Sequence, residues 1–129
     1  MFVGWLDPAS GQLRYVNAGH PEPHLVRDGA LRTLEATGIP VGMMANFAWT
    51  EGEVVLQDSE TLAVFSDGIP EAQHGDEFFD FERVAAALRE TVGERDLAAM
   101  ADGVIGRIDA FAAGEHRADD VTLMLLRRG

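Results

Sequence analysis

Carboxylates stand at two places where an apolar run meets polar chain. Leu62-Ala63-Val64-Phe65-Ser66 leads into Asp67-Gly68, the pattern of a buried strand that stops at a turn. Asp119-Asp120 opens the apolar run Val121-Thr122-Leu123-Met124-Leu125-Leu126. If these two strands are antiparallel neighbours, both sets of carboxylates emerge at one edge of the sheet. Two or three oxygen ligands converging there, with water, are what Mg²⁺ or Mn²⁺ requires. Asn17-Ala18-Gly19-His20 also ends a strand-like run and can reach the same edge. Each feature has a plainer reading. Ser-Asp-Gly after an apolar run is commonly only a turn, Asp119-Asp120 can be a solvated turn, and His20 can be a hydrogen-bonded loop histidine. His24, His74 and His116 have no legible partners and read as surface. Ser66 lacks a nucleophile elbow, and no glycine loop of the P-loop or dinucleotide kind is present.

The elements that position these residues are legible in outline. Phe2–Leu6 and Leu13–Asn17 flank the turn chemistry of Asp7–Gly11 and predict a hairpin. The prolines at 21 and 23 forbid regular pairing. His24–Val26 and Leu31–Leu34 form a second hairpin around Arg27-Asp28-Gly29. Thr37–Gly42 is a stiff, glycine-punctuated loop, and Phe47–Leu56 reads as one long strand, bulged at Gly52. After the strand Thr61–Ser66, residues 73–77 read as loop. Asp80 caps a helix with Phe81, Val84, Ala85 and Leu88 on one face, and Gly93 ends it. Asp96 begins a second helix carrying Leu97, Met100, Val104, Ile108 and Phe111. After the loop 114–118, Val121–Leu126 is a last, buried strand. The pattern is α+β with mainly antiparallel pairing. Several strands look apolar on both faces, so two helices alone do not cover them: a second sheet, more chain or a partner is required.

Composition narrows the function classes. The 129 residues make one domain. Acidic residues number 22 against 10 basic, which argues against nucleic acid as a partner. The absence of cysteine removes disulfides, thiolate metal sites and cysteine nucleophiles, and agrees with a reducing, cytoplasmic setting. No apolar run is long enough to span a membrane, and the N-terminus lacks the basic start of a signal peptide.

Four motifs in order carry a family resemblance: Asn17-Ala18-Gly19-His20-Pro21, Gly38-Ile39-Pro40-Val41-Gly42, Ser66-Asp67-Gly68-Ile69-Pro70-Glu71-Ala72 and Asp119-Asp120-Val121-Thr122. Together they resemble the metal-dependent PPM/PP2C-type serine/threonine phosphatases of the SpoIIE/RsbU branch, over about Phe2 to Arg127. The resemblance implies an antiparallel β-sandwich flanked by helices. It also implies hydrolysis of phosphoserine or phosphothreonine by a hydroxide bound to two Mn²⁺ or Mg²⁺ ions. Substrates of the family are phosphorylated regulatory proteins of the anti-sigma-factor antagonist type. Carried over by motif, Asp67 and Asp119 are metal ligands, and Gly68, Asp120, Asn17 and His20 support that edge. Three departures accompany the match. Nothing fits the family's Gly-Asp-x-x-Asp motif, which supplies the metal-bridging aspartate, so residues 1–129 correspond to the C-terminal two-thirds of the family domain. Asp80 stands where the family usually has Gly after Phe, and Pro70 replaces a more usual apolar residue. A non-catalytic module that binds a partner is therefore the rival expectation. A third is a site completed by another chain, and an exposed face would favour self-association.

Overall fold

The computed structural model describes residues 1–115 and 119–129; His116, read as surface, lies outside them, as does most of the expected loop 114–118. Strand β1 (Phe2–Leu6) pairs antiparallel with β2 (Gln12–Asn17), with Phe2 opposite Asn17 and Leu6 opposite Leu13. The connecting turn is closed by the Asp7 carboxylate, which accepts from Ala9 N at 3.0 Å and Ser10 Oγ at 2.7 Å. On its other edge β2 pairs with β5 (Gly52–Val55), completing a three-stranded sheet.

The long strand expected over 47–56 is only these four residues. Phe47 and Trp49 leave the sheet and pack edge to face, their centroids 5.2 Å apart. They lie against Gly38, where a Cβ would meet Phe47 Cε1 at 2.7 Å. Trp49 Nε1 donates to Ile39 O at 2.8 Å. Aromatic alternation there mimics a strand because the side chains serve a loop.

The second sheet holds β3 (His24–Arg27), β4 (Ala30–Thr33), β6 (Thr61–Phe65) and β9 (Leu123–Arg127) in the order β4-β3-β6-β9, every pair antiparallel. Asp28 and Gly29 turn the β3–β4 hairpin with φ of 50° and 80°, the left-handed pair that a two-residue hairpin needs. Strand β9 begins two residues later than expected and is an edge strand. Its residues are half-buried or, at Met124, exposed, so it is not the fully buried strand its composition suggests.

Successive residues of β3 and β6 point to opposite faces, and each face has its own core. Leu25 and Leu62 join Leu13, Tyr15, Leu34 and Leu56 between the two sheets. Val26, Ala63 and Phe65 meet helices α1 (Asp80–Thr91) and α2 (Leu97–Ala112) on the other side. The layers are therefore sheet, sheet, helices. The second sheet answers the need for cover on the two-sided apolar strands. It leaves one bare face of its own: Val3, Trp5 and Val55 are exposed, Trp5 to 80%.

Helix α2 follows its expected pattern. Asp96 caps it, accepting from Ala99 N at 2.8 Å, and Met100, Val104, Ile108 and Ala112 are buried at every fourth position. Helix α1 is rotated from expectation. Val84, Ala87, Leu88 and Thr91 are buried, while Phe81 is exposed and Ala85 only half-buried. Residues 73–77, expected as loop, form a small hairpin of β7 (Gln73–His74) and β8 (Glu77–Phe78) turning at Gly75.

Candidate functional site

Strands β6 and β9 are antiparallel neighbours, with Phe65 opposite Leu123 as the last register pair. Past that pair the strands stay clasped. Ser66 N donates to Thr122 O at 3.0 Å, and Ser66 Oγ accepts from Thr122 N at 2.9 Å. The same hydroxyl donates to Asp120 O at 3.1 Å. Ser66 is thus a strut between two chains, a use the sequence does not announce.

Beyond the strut, Asp67 enters a tight turn. Ile69 N donates to Ser66 O at 3.1 Å and Glu71 N to Asp67 O at 3.0 Å. Gly68, Ile69 and Pro70 are buried, and Asp67 is exposed. Gly68 is required by its neighbour. A Cβ there would stand 2.9 Å from the carbonyl carbon of Asp120 and closer still to its oxygen. The Asp67-Gly68 and Asp119-Asp120 segments therefore meet backbone to backbone at one corner of the sheet, as the strand-end reasoning requires. Asp119 Oδ1 accepts from Asp120 N at 2.8 Å. Among the described residues the Asp67 carboxylate makes no hydrogen bond or ion pair.

The Asn17–His20 loop reaches the same corner from the other side. Gly19, His20, Pro21, Glu22 and Asp67 line a cleft of about 470 Å³, with Phe81 and His24 also in its wall. Asn17 is fully buried. Its Oδ1 accepts from His20 N at 2.9 Å, its backbone N donates to Thr37 Oγ1 at 2.9 Å, and its Nδ2 has no partner among the described residues. Asn17 is therefore a shaping residue. The His20 ring is held by Pro21 O, 2.8 Å from Nδ1.

His24 corrects the surface reading. It is 4% exposed, packs edge to face on Phe65 at 5.3 Å, and its Nδ1 is buried without a hydrogen bond. Burial pushes its pKa below the ordinary 6.5, against the smaller raising effects of Pro23 and Glu22, so it sits as the neutral imidazole. His74 is exposed as expected but has partners: Glu115 Oε1 lies 3.7 Å from its Nδ1, and its ring faces Phe111 at 6.2 Å. Phe81, expected in the core, instead lines the cleft and reaches Phe65 at 6.3 Å. An aromatic in the first turn of an amphipathic helix carries no sequence mark that separates these two uses.

The oxygen donors suit Mg²⁺ or Mn²⁺ in kind. They do not suffice in number. Among the described residues no three His, Asp or Glu side chains converge closely enough to hold a metal ion. Asp67 and Asp119 are two oxygen donors on segments that meet at one corner, fewer than a metal cage requires.

The sequence model of the family "Stage II sporulation protein E (SpoIIE)" matches residues 1–129. The chain is 30% identical to Protein IcfG of Synechocystis sp. over 132 residues, covering 99% of this chain and 20% of that protein. It is 24% identical to the phosphoserine phosphatase RsbP of Bacillus subtilis over 123 residues, covering 94% of this chain and 28% of that one. The chain thus spans a quarter or so of the curated relatives it matches. Among solved structures it resembles the RsbU and RsbW domains of Rv1364c from Mycobacterium tuberculosis. There the TM-score is 0.77 and the identity 27%, over 98% of this chain and 35% of that one.

Proposed function

This chain belongs to the SpoIIE family, a branch of the PP2C-type phosphatases, and from that premise we propose that it serves hydrolysis of phosphoserine or phosphothreonine in a regulatory protein. The family is metal-dependent. In this reading Asp67 and Asp119 are oxygen ligands for Mn²⁺ or Mg²⁺, while Gly68, Asp120, Asn17 and His20 hold the corner in shape. A metal ion held there by Asp67 and Asp119, together with ligands from beyond these residues, would supply Lewis-acid chemistry for phosphoryl hydrolysis. The chain's own part is to keep two carboxylates at a rigid strand end beside an open cleft. The observation that carries the reading is the Ser66 clasp between Thr122 N and Asp120 O, which joins the two carboxylate-bearing segments.

In this reading the substrate is the one the family resemblance implies, a phosphorylated anti-sigma-factor antagonist, and the net charge of −12 disfavours a nucleic acid partner. The domain extends beyond these residues in this reading, residues 1–129 being its C-terminal two-thirds. Two features support that. Val3, Trp5 and Val55 leave the smaller sheet bare. An apolar crevice lined by Phe2, Leu6, Leu13, Leu62 and Leu126 also stands open between the two sheets. Further elements that cover these surfaces would bring the missing carboxylate; a second copy on the same face is the self-associated alternative.

A non-catalytic, partner-binding module is the second reading, favoured by the lack of a third ligand among the described residues. Mn²⁺-dependent hydrolysis of a phosphoserine peptide separates the two. The phosphatase reading expects a rate that Asp67→Ala abolishes; equal rates for both proteins overturn the role of Asp67. Absence of millimolar Mn²⁺ binding by calorimetry favours the binding module.

A further inference from the structure

Among the described residues ten large apolar side chains are exposed, and three of them fall within four residues: Val41, Met43 at 71% and Met44 at 61%. The segment that carries them is well braced. Met43 N donates to Pro40 O at 3.3 Å, Gly42 turns with φ of 89°, and Trp49 Nε1 ties down Ile39 O. The Pro40 ring lies on Gly19 so closely that a Cβ there would meet Pro40 Cβ at 2.9 Å. Below, Phe47 and Trp49 pack on Gly38. The aromatic residues of the segment are turned inward and the flexible ones outward. A loose loop could hide its methionines; this one is built to present them.

We propose that Val41, Met43 and Met44 form a docking surface for the phosphoprotein substrate, on a folded partner that offers an apolar patch flanked by Lys or Arg. The inference rests on the phosphatase reading and deepens it. Position supports it: Pro40 rests on Gly19, and Gly19 lines the cleft that contains Asp67. The apolar loop and Phe81 are therefore both continuous with the walls of one cleft. Methionine suits a surface that must fit another protein, because its unbranched side chain adapts to what it meets, and clustered exposed apolar groups mark interaction sites. Charge selects the partner. The cleft beside the loop is lined by Glu22 and Asp67 and, among the described residues, by no Arg or Lys, in a chain of net charge −12. An apolar loop beside an acidic cleft attracts a basic protein surface and repels an anionic membrane.

The test is binding of the intact partner, measured without metal so that no turnover occurs. The 129-residue chain is titrated with a purified anti-sigma-factor antagonist phosphorylated on serine. Met43→Ser/Met44→Ser is compared with the native chain, with unfolding curves confirming an unchanged fold for these exposed positions. The proposal expects about a tenfold weaker complex for the double variant, a shift in the same direction for Val41→Ser, and further weakening as salt rises. Equal affinity of native and double variant overturns it, as does absence of binding by the native chain. Peptide hydrolysis judges the phosphatase reading and protein binding judges the docking surface, so either can fail alone.

Discussion

Gly68 and the carbonyl of Asp120 touch at the corner where strands β6 and β9 end, leaving no room for a Cβ at position 68. The contact fixes where the Asp67 turn sits relative to the Asp119-Asp120 segment. Gly68→Ala must push the two backbones apart, since carbonyl and turn are both held by hydrogen bonds. We expect a loss of about 1–3 kcal/mol of stability, the range for overpacking a tight site, seen in denaturant unfolding. Residual Mn²⁺ affinity should fall with it. A variant as stable as the native chain would show that the corner is pliable.

Ser66→Ala tests the strut beside that contact. It removes the acceptor for Thr122 N and the donor to Asp120 O. The expected cost is about 1–2 kcal/mol, the usual range for stranding hydrogen-bonding groups at a partly exposed site. The specific signature is faster hydrogen exchange at the Thr122 amide, with the amides of Ala63 and Leu125 deeper in the ladder unchanged.

His24 makes stability sensitive to mild acid. Its pKa is lowered chiefly by burial, so in the unfolded chain it binds a proton more readily than in the folded one. The stability it confers is complete above the unfolded value near 6.5 and is lost as pH falls through the lowered folded value. Thermal unfolding of the native chain should therefore drop between about pH 7.5 and 5.5. His24→Leu, which keeps packing against Phe65 and removes the unpartnered Nδ1, should flatten that slope. Parallel curves for the two proteins would assign the acid sensitivity elsewhere.

Asp80 holds a left-handed backbone, φ 63°, at the first residue of α1. Glycine would adopt that conformation without strain, in line with the family expectation for this position. Aspartate offsets the strain with its side chain: Oδ1 accepts from Arg83 N at 2.9 Å and Oδ2 lies 3.2 Å from Arg83 Nη1. Asp80→Gly exchanges the cap for relief of strain and should change stability by less than about 1 kcal/mol. Asp80→Ala keeps the strain and loses the cap, at a cost of about 1–2 kcal/mol. Chemical denaturation of the pair against the native chain reads the difference.

The shared corner was legible because its logic is local to strand ends. An apolar run closing on Asp67-Gly68, and another opening after Asp119-Asp120, imply a shared corner as soon as the strands are antiparallel neighbours, and they are. What the sequence hides is context. His24 stands in a polar, proline-flanked stretch and reads as surface, yet both sheet partners of β3 bury it. Phe47 and Trp49 keep the alternation of a strand while serving a loop. Phe81 obeys the helical period and still faces a cleft, because the turn at Asp80 sets where α1 begins its rotation. For His24, Phe47 and Trp49 a neighbour distant in sequence decides the outcome, and local pattern carries no record of it.

The bare outer face of the smaller sheet has an optical consequence. The chain contains two tryptophans. Trp49 is half-buried with its indole N–H bound to Ile39 O, while Trp5 stands almost wholly in water. Whatever comes to lie on that sheet must first dehydrate Trp5, so a blue shift of its emission, isolated in a Trp49→Phe background, reports coverage of the face directly. The residue that most exposes the fold is also its built-in gauge of assembly.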